Sequence, residues 1–184
     1  GIVPEAGMIR RDTAAVDDDI YVTGSIGDGA LGLLAAQKQL TSNYLEDRYY
    51  HPQPRMEYVK LLREFATSSM DISDGLLADT AKLMRASNLS AKLYTADIPL
   101  SDEASKYVIH DQRYLAVILT GGDDYEILFT APSSFREILS ARARELNLTI
   151  SRIGVVNHQG KESVAVVDED EKKLTFQKFG YSHT

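Results

Sequence analysis

Two carboxylates and a hydroxyl fall within four residues of Met70-Asp71-Ile72-Ser73-Asp74-Gly75-Leu76. Magnesium is a hard cation that takes oxygen ligands and usually keeps phosphates and waters in its shell. Asp71 and Asp74 can therefore each hold part of a metal–phosphate cluster, with Ser73 donating to a phosphate oxygen. The competing reading is a helix start, because Ser and Asp are preferred N-caps and acids suit the positive end of a helix. A second group is Leu119-Thr120-Gly121-Gly122-Asp123-Asp124-Tyr125-Glu126. Paired glycines let a backbone approach a ligand closely, and three acids around an aromatic ring suit a cation, an amine or a metal. A helix C-cap followed by a turn with exposed acids explains the same residues.

Three further segments carry weaker chemistry. The turn Thr23 to Gly29 can offer backbone N–H groups to an anion, but no Gly-Lys-Ser/Thr follows as in a phosphate-binding loop, and a tight strand-to-helix connection accounts for it. Arg10-Arg11 is the sole adjacent arginine pair, able to grip phosphate bidentately or to stand as an ordinary surface pair. His51-Pro52-Gln53-Pro54-Arg55 reads as a rigid turn with a solvated histidine. The four histidines show no metal-ligand spacing.

These residues need elements to hold them. Ile20 to Thr23 is predicted as a strand and Ala30 to Leu40 as a buried helix. Tyr58, Leu61, Leu62 and Phe65 form the stripe of an amphipathic helix. Ser69 to Ile72 is extended, and a helix starting at Ser73 or Asp74 presents Leu77, Ala81 and Met84. Ser90 to Tyr94 reads as a strand, with a cap at Pro99 to Asp102. Two short helices follow, one carrying Ala104, Tyr107 and Val108, the other Leu115, Ile118 and Leu119 and stopped by Gly121-Gly122. Tyr125 to Thr130 is a strand. Phe135, Ile138, Leu139, Ala143 and Leu146 mark another helix. Strands are expected over Thr149 to Val155, Ser163 to Val167 and Leu174 to Gln177, the last two joined by an acidic, solvated hairpin loop at 168–171. The interleaving predicts an α/β (α+β) fold with helices packed on a mixed sheet.

The 184 residues suit one domain with a real core. With no cysteine, disulfides, thiolate metal sites and cysteine nucleophiles are excluded. A net charge of −7 and a pI near 5.1 argue against a nucleic-acid footprint, so no nucleic-acid partner is expected. They also demand bridging cations if the ligand is a polyphosphate. No apolar run reaches membrane-spanning length, so no membrane partner is expected. The start Gly1-Ile2-Val3-Pro4 lacks the pattern of a signal peptide and has no initiator Met, and reads as the middle of a longer polypeptide.

Five segments in register carry a resemblance: 19–28 (Asp-Ile-Tyr-Val-Thr-Gly-Ser-Ile-Gly-Asp), 51–55 (His-Pro-Gln-Pro-Arg), 70–76, 120–126 (Thr-Gly-Gly-Asp-Asp-Tyr-Glu) and 179–183 (Phe-Gly-Tyr-Ser-His). Together the chain resembles thiamine-monophosphate kinase, of the aminoimidazole-ribonucleotide-synthetase-like superfamily, along essentially its whole length. The resemblance implies a cytoplasmic enzyme that transfers the ATP γ-phosphoryl group to thiamine monophosphate with Mg2+. It assigns Asp71 and Asp74 to magnesium, Ser73 and Arg11 to ATP, and Asp123 and Tyr181 to the substrate, with Tyr181 able to stack on the cationic ring. It tilts the reading of Asp71 and Asp74 from cap to metal. Residues 1–184 then correspond to the C-terminal half. The family's N-terminal half, which supplies most magnesium carboxylates, a nucleotide contact and a homodimer interface, is absent, and the chain alone is expected to be inactive. Asp123 stands where many relatives carry Glu, and the stretch Arg11 to Asp19 lacks the Gly and Pro that many place there. The alternatives are another ATP-dependent enzyme of the superfamily, such as a selenophosphate or purine-pathway synthetase, or a non-catalytic nucleotide- or partner-binding domain.

Overall fold

Alternation along one strand sets the layering. In β1 (Asp18–Thr23) every residue is buried. Ile20 and Val22 point into one apolar cluster and Tyr21 into another, because successive side chains of a strand leave opposite faces. The computed structural model, which describes residues 8–176, is thus a sheet covered on both sides. Among the described residues the sheet has seven strands in the order β2-β4-β1-β5-β3-β6-β7. These are β2 (Ser68–Asp71), β3 (Ser90–Tyr94), β4 (Ile127–Pro132), β5 (Ile150–Asn157), β6 (Val164–Val167) and β7 (Lys173–Leu174). All neighbours are antiparallel except β3 and β6, so the sheet is mixed, as expected.

The larger cluster takes residues from α1 (Asp28–Ala36), α2 (Asn43–Tyr50), α4 (Leu76–Ala86), α5 (Asp102–His110) and α6 (Arg113–Thr120). The smaller one joins α3 (Val59–Phe65) and α7 (Arg136–Glu145) to the other face. At its centre Tyr21 is paired with Phe129 in the β1–β4 register, the rings stacked 5.2 Å apart. Such a pair adds about 1 kcal/mol beyond its buried area.

Several boundaries differ from the sequence-based expectation. The first helix stops at Ala36, four residues before Leu40, because Lys38 turns left-handed (φ 63°) and the N–H groups of Gln37, Lys38 and Gln39 close onto Leu33, Ala35 and Leu34. α2 was not anticipated: it is polar, with Leu45 its one buried residue, and is started by the Ser42 hydroxyl accepting from Leu45 N–H at 3.3 Å. α4 begins at Leu76, not at Ser73 or Asp74. In the predicted stripe of α7, Leu139 and Ala143 are buried but Phe135 and Ile138 are exposed, Phe135 packing edge-on against Phe65. The acidic run 168–171 is the β6–β7 hairpin loop, closed by Glu171 N–H to Asp168 O at 3.0 Å. The last predicted strand is reduced to Lys173–Leu174, and Gln177 lies outside the described residues.

Candidate functional site

The two motifs that carry the carboxylates are one structural unit. β2 pairs with β4 up to Asp71 opposite Ile127. The pairing continues past both strands, with Ile72 N–H donating to Glu126 O at 2.8 Å, Tyr125 N–H to Ile72 O at 2.9 Å and Asp123 N–H to Ser73 O at 3.0 Å. Gly122 permits this approach, since a Cβ there would lie 2.1 Å from the Ser73 carbonyl oxygen. Asp123 and Tyr125 are left-handed (φ 69° and 53°), which is costly for side chains with a Cβ and unusual for an aromatic residue. The twist turns the intervening Asp124 inward while its neighbours bond outward to the 70–76 motif.

Asp124 occupies the glycine turn. Its carboxylate accepts from Gly27 N–H at 2.8 Å and Gly29 N–H at 2.9 Å, at the N-terminus of α1. The anion cradle of the Thr23 to Gly29 turn is therefore filled by a side chain of the protein itself. Burial pushes the Asp124 carboxyl up to about 7, against the pull of those two donors, with Asp28 and Glu126 adding to the rise. Asp28 is itself buried and accepts from Ser25, Tyr44 and Ser101. Glu126, also buried, is held by Arg55, whose Nε lies 2.7 Å from Oε2 and whose Nη2 contacts Oε1, by Arg48 at 3.2 Å and by Thr23 at 2.6 Å. The guanidinium–carboxylate bond holds Arg55 above its ordinary pKa. Charged groups this deep persist only when paired and hydrogen-bonded.

A second buried acid shapes the Asp71–Asp74 segment. Asp79, in the first turn of α4, accepts with one oxygen from the N–H groups of Ser73, Asp74 and Gly75 at 2.9, 2.9 and 3.2 Å. The helix is thus capped from within, and neither Ser73 nor Asp74 acts as the cap. Gly75 takes φ 117° beside the carbonyls of Thr120 and Gly121, a position closed to other residues. Lys82 bonds to Asp74 and, at 2.7 Å, to the other oxygen of Asp79. Burial depresses the Lys82 pKa, but the two carboxylates outweigh it and raise it.

Asp71, Ser73, Asp74 and Asp123 are brought together at this edge. Asp71 is exposed and the other three are half-buried. Tyr125 is 42% exposed, its hydroxyl 3.3 Å from Asp123, and the charge of Asp123, with burial and the charge of Asp71, raises its pKa. Arg11 is placed elsewhere. Its carbonyl accepts from Ser87 just past the C-terminal end of α4, about 16 Å along the helix from the Asp74 loop. Tyr181 and the 179–183 motif lie outside the described residues. His51 is solvated and bonds to Asp47 at 2.8 Å.

The donor set suits a hard divalent cation bound mainly through a phosphate. The backbone pairing brings the segments that carry these carboxylates and the hydroxyl side by side, and no group of three or more His, Asp or Glu among the described residues forms a complete metal cage. Magnesium is commonly held by one or two carboxylates plus substrate phosphates and waters. Asp79, Lys82 and Arg48, which hold these parts in place, were not recognised from sequence, and Arg55 was read only as the end of a rigid turn. Asp79 lies five residues beyond Asp74 with no motif to mark it, and the arginines are joined to Glu126 only by folding.

Residues 15–167 match the family model described as AIR synthase related protein, C-terminal domain. The chain belongs to this family. It is 34% identical over 189 residues to the thiamine-monophosphate kinase of Escherichia coli K12, covering 100% of this chain and 57% of that protein. The crystal structure of thiamine-monophosphate kinase from Stenotrophomonas maltophilia K279a superposes with a TM-score of 0.81 at 32% identity, covering 94% of this chain and 56% of that one. AaThiL complexed with AMPPCP and TMP superposes with a TM-score of 0.73 at 32% identity, covering 96% and 54%. The chain spans just over half the length of the relatives it matches. Among the described residues no helix is long and apolar enough to cross a membrane.

Proposed function

We propose that this chain is the C-terminal domain of a cytoplasmic, magnesium-dependent kinase that moves the ATP γ-phosphoryl group to thiamine monophosphate, giving thiamine diphosphate. The observation that carries the proposal is the docking of the 120–126 motif onto the 70–76 motif. It gathers Asp71, Ser73, Asp74 and Asp123 in a chain whose relatives along its whole length are thiamine-monophosphate kinases.

Phosphoryl transfer asks a protein for alignment and charge neutralisation more than for covalent chemistry. Asp71 and Asp74 would hold Mg2+, which when bound neutralises the phosphate oxygens and so reconciles an acidic chain with ATP. Ser73 keeps its hydroxyl free to donate to a phosphate oxygen because Asp79 takes over the capping of α4. Asp123, with Tyr125 beside it, would face the cationic ring of thiamine monophosphate, and Tyr181 is proposed as a second contact of that substrate. Arg11 is proposed as the contact for the part of the nucleotide that runs along α4 away from the Asp74 loop. A complementary N-terminal half would supply further metal ligands and the homodimer contact, so this chain alone is expected to turn over nothing.

The test is conversion of thiamine monophosphate to thiamine diphosphate by the intact gene product with ATP and Mg2+, compared with Asp71→Ala/Asp74→Ala and with residues 1–184 alone. Turnover by the intact protein and its loss in the other two are expected. Full activity after both alanine substitutions would remove the metal assignment.

A further inference from the structure

A cation already stands among these carboxylates. Lys82 Nζ touches Asp74 and lies 2.7 Å from Asp79 Oδ1. Its two contacts are unequal. Asp79 is fully buried, its other oxygen taken by three backbone N–H groups, and lies one helical turn from Lys82 on α4. A charge buried to that degree needs a fixed partner. Asp74 is 27% exposed and lies in the loop ahead of the helix. Asp74 is also one of the two carboxylates assigned above to magnesium.

We propose that Lys82 is a built-in competitor for the divalent cation at Asp74. It neutralises that carboxylate while the cation is absent, and gives it up on cation binding while staying tethered to Asp79. Lys82 is thus a positioning residue. It keeps Asp74 from repelling Asp71 and Asp123 in the cation-free protein, and it sets how tightly the cation binds. The proposal rests on the reading of Asp74 as a cation ligand and deepens it.

The experiment is titration with Mn2+ alone, followed by electron paramagnetic resonance, on the intact gene product and on its Asp74→Asn, Lys82→Gln and double variants. Gln retains a donor for Asp79 but no charge. A part-exposed ion pair has a modest strength, so Lys82→Gln is expected to tighten Mn2+ binding about threefold. Asp74→Asn should weaken binding, and in its presence Lys82→Gln should add nothing. Weakening by Asp74→Asn without tightening by Lys82→Gln overturns the competitor role alone. Tightening that persists in the double variant, relative to Asp74→Asn, overturns it too, since that marks a general charge effect. If Asp74→Asn leaves binding unchanged, the metal reading itself fails. Should Lys82→Gln not fold, the unsubstituted intact protein carries the test through acylation of Lys82 read by mass spectrometry. Saturating Mg2+ is expected to speed the labelling as Nζ leaves Asp74, and an unchanged rate overturns the proposal.

Discussion

Asp124 sets a carboxylate oxygen 2.8 Å from the N–H of Gly27, so the positive end of α1 is satisfied from within the chain. The same burial that makes this contact possible lifts the Asp124 carboxyl from 3.8 to about 7. Across that interval the folded state keeps a proton that the unfolded chain releases, so raising the pH weakens folding. The loss is complete once the pH exceeds the folded value. Denaturation followed between pH 4 and pH 8 should therefore show a component of stability that declines as pH rises through this window. In Asp124→Asn that component should vanish, and an unchanged slope would count against the buried carboxyl as its source.

Glu126 takes its counter-charges from Arg48 and Arg55, 78 and 71 residues away in one stretch of the chain. Arg55 binds it through two guanidinium nitrogens, and Glu126 is fully buried. Replacing Arg55 with Met should destabilise the domain by about 3 kcal/mol, because the carboxylate stays buried with part of its neutralisation removed. Arg48 remains as a partial partner. Urea unfolding measures the change, and a loss below about 1 kcal/mol would assign the neutralisation mainly to Arg48.

Gly122 governs the contact between the two motifs. A methyl group there would meet the Ser73 carbonyl at 2.1 Å, against backbone that cannot swing aside. Gly122→Ala should cost about 2 kcal/mol through overpacking. In the intact protein it should also impair turnover out of proportion to stability, since it displaces Ser73 relative to Asp123. Thermal melting and steady-state kinetics on one preparation separate the two effects.

Asp79 orders the segment that presents Asp71, Ser73 and Asp74. Asp79→Ala leaves three backbone N–H groups without their acceptor, a loss of about 3 kcal/mol. Hydrogen exchange at Ser73, Asp74 and Gly75 should accelerate more than exchange in β1. Equal acceleration throughout would indicate global destabilisation and no local role.

Much of this arrangement was legible in the residues. Periodicity located β3 and the buried faces of α3 and α4, because side-chain spacing of two or of three and four is dictated by backbone geometry alone. Gly121 was recognisable as the end of α6. The motifs at 70–76 and 120–126 were each visible, but either one taken alone fits a cap or a turn as well as a ligand site. Their contact, with Ile72 bonded to Glu126 and Tyr125, joins positions some fifty residues apart, and no local pattern records it.

The amino-acid order by itself determined the alternating strands and helices, the acidic balance and the candidate residues for a cation and phosphate. Only the tertiary structure decided which charges are partners: Asp124 with the glycine turn, Arg55 and Arg48 with Glu126, Lys82 with Asp74 and Asp79. The physical reason is range. Helix and strand patterns come from neighbours within a few residues, whereas a buried carboxylate is satisfied by whatever donors the packed chain carries to it.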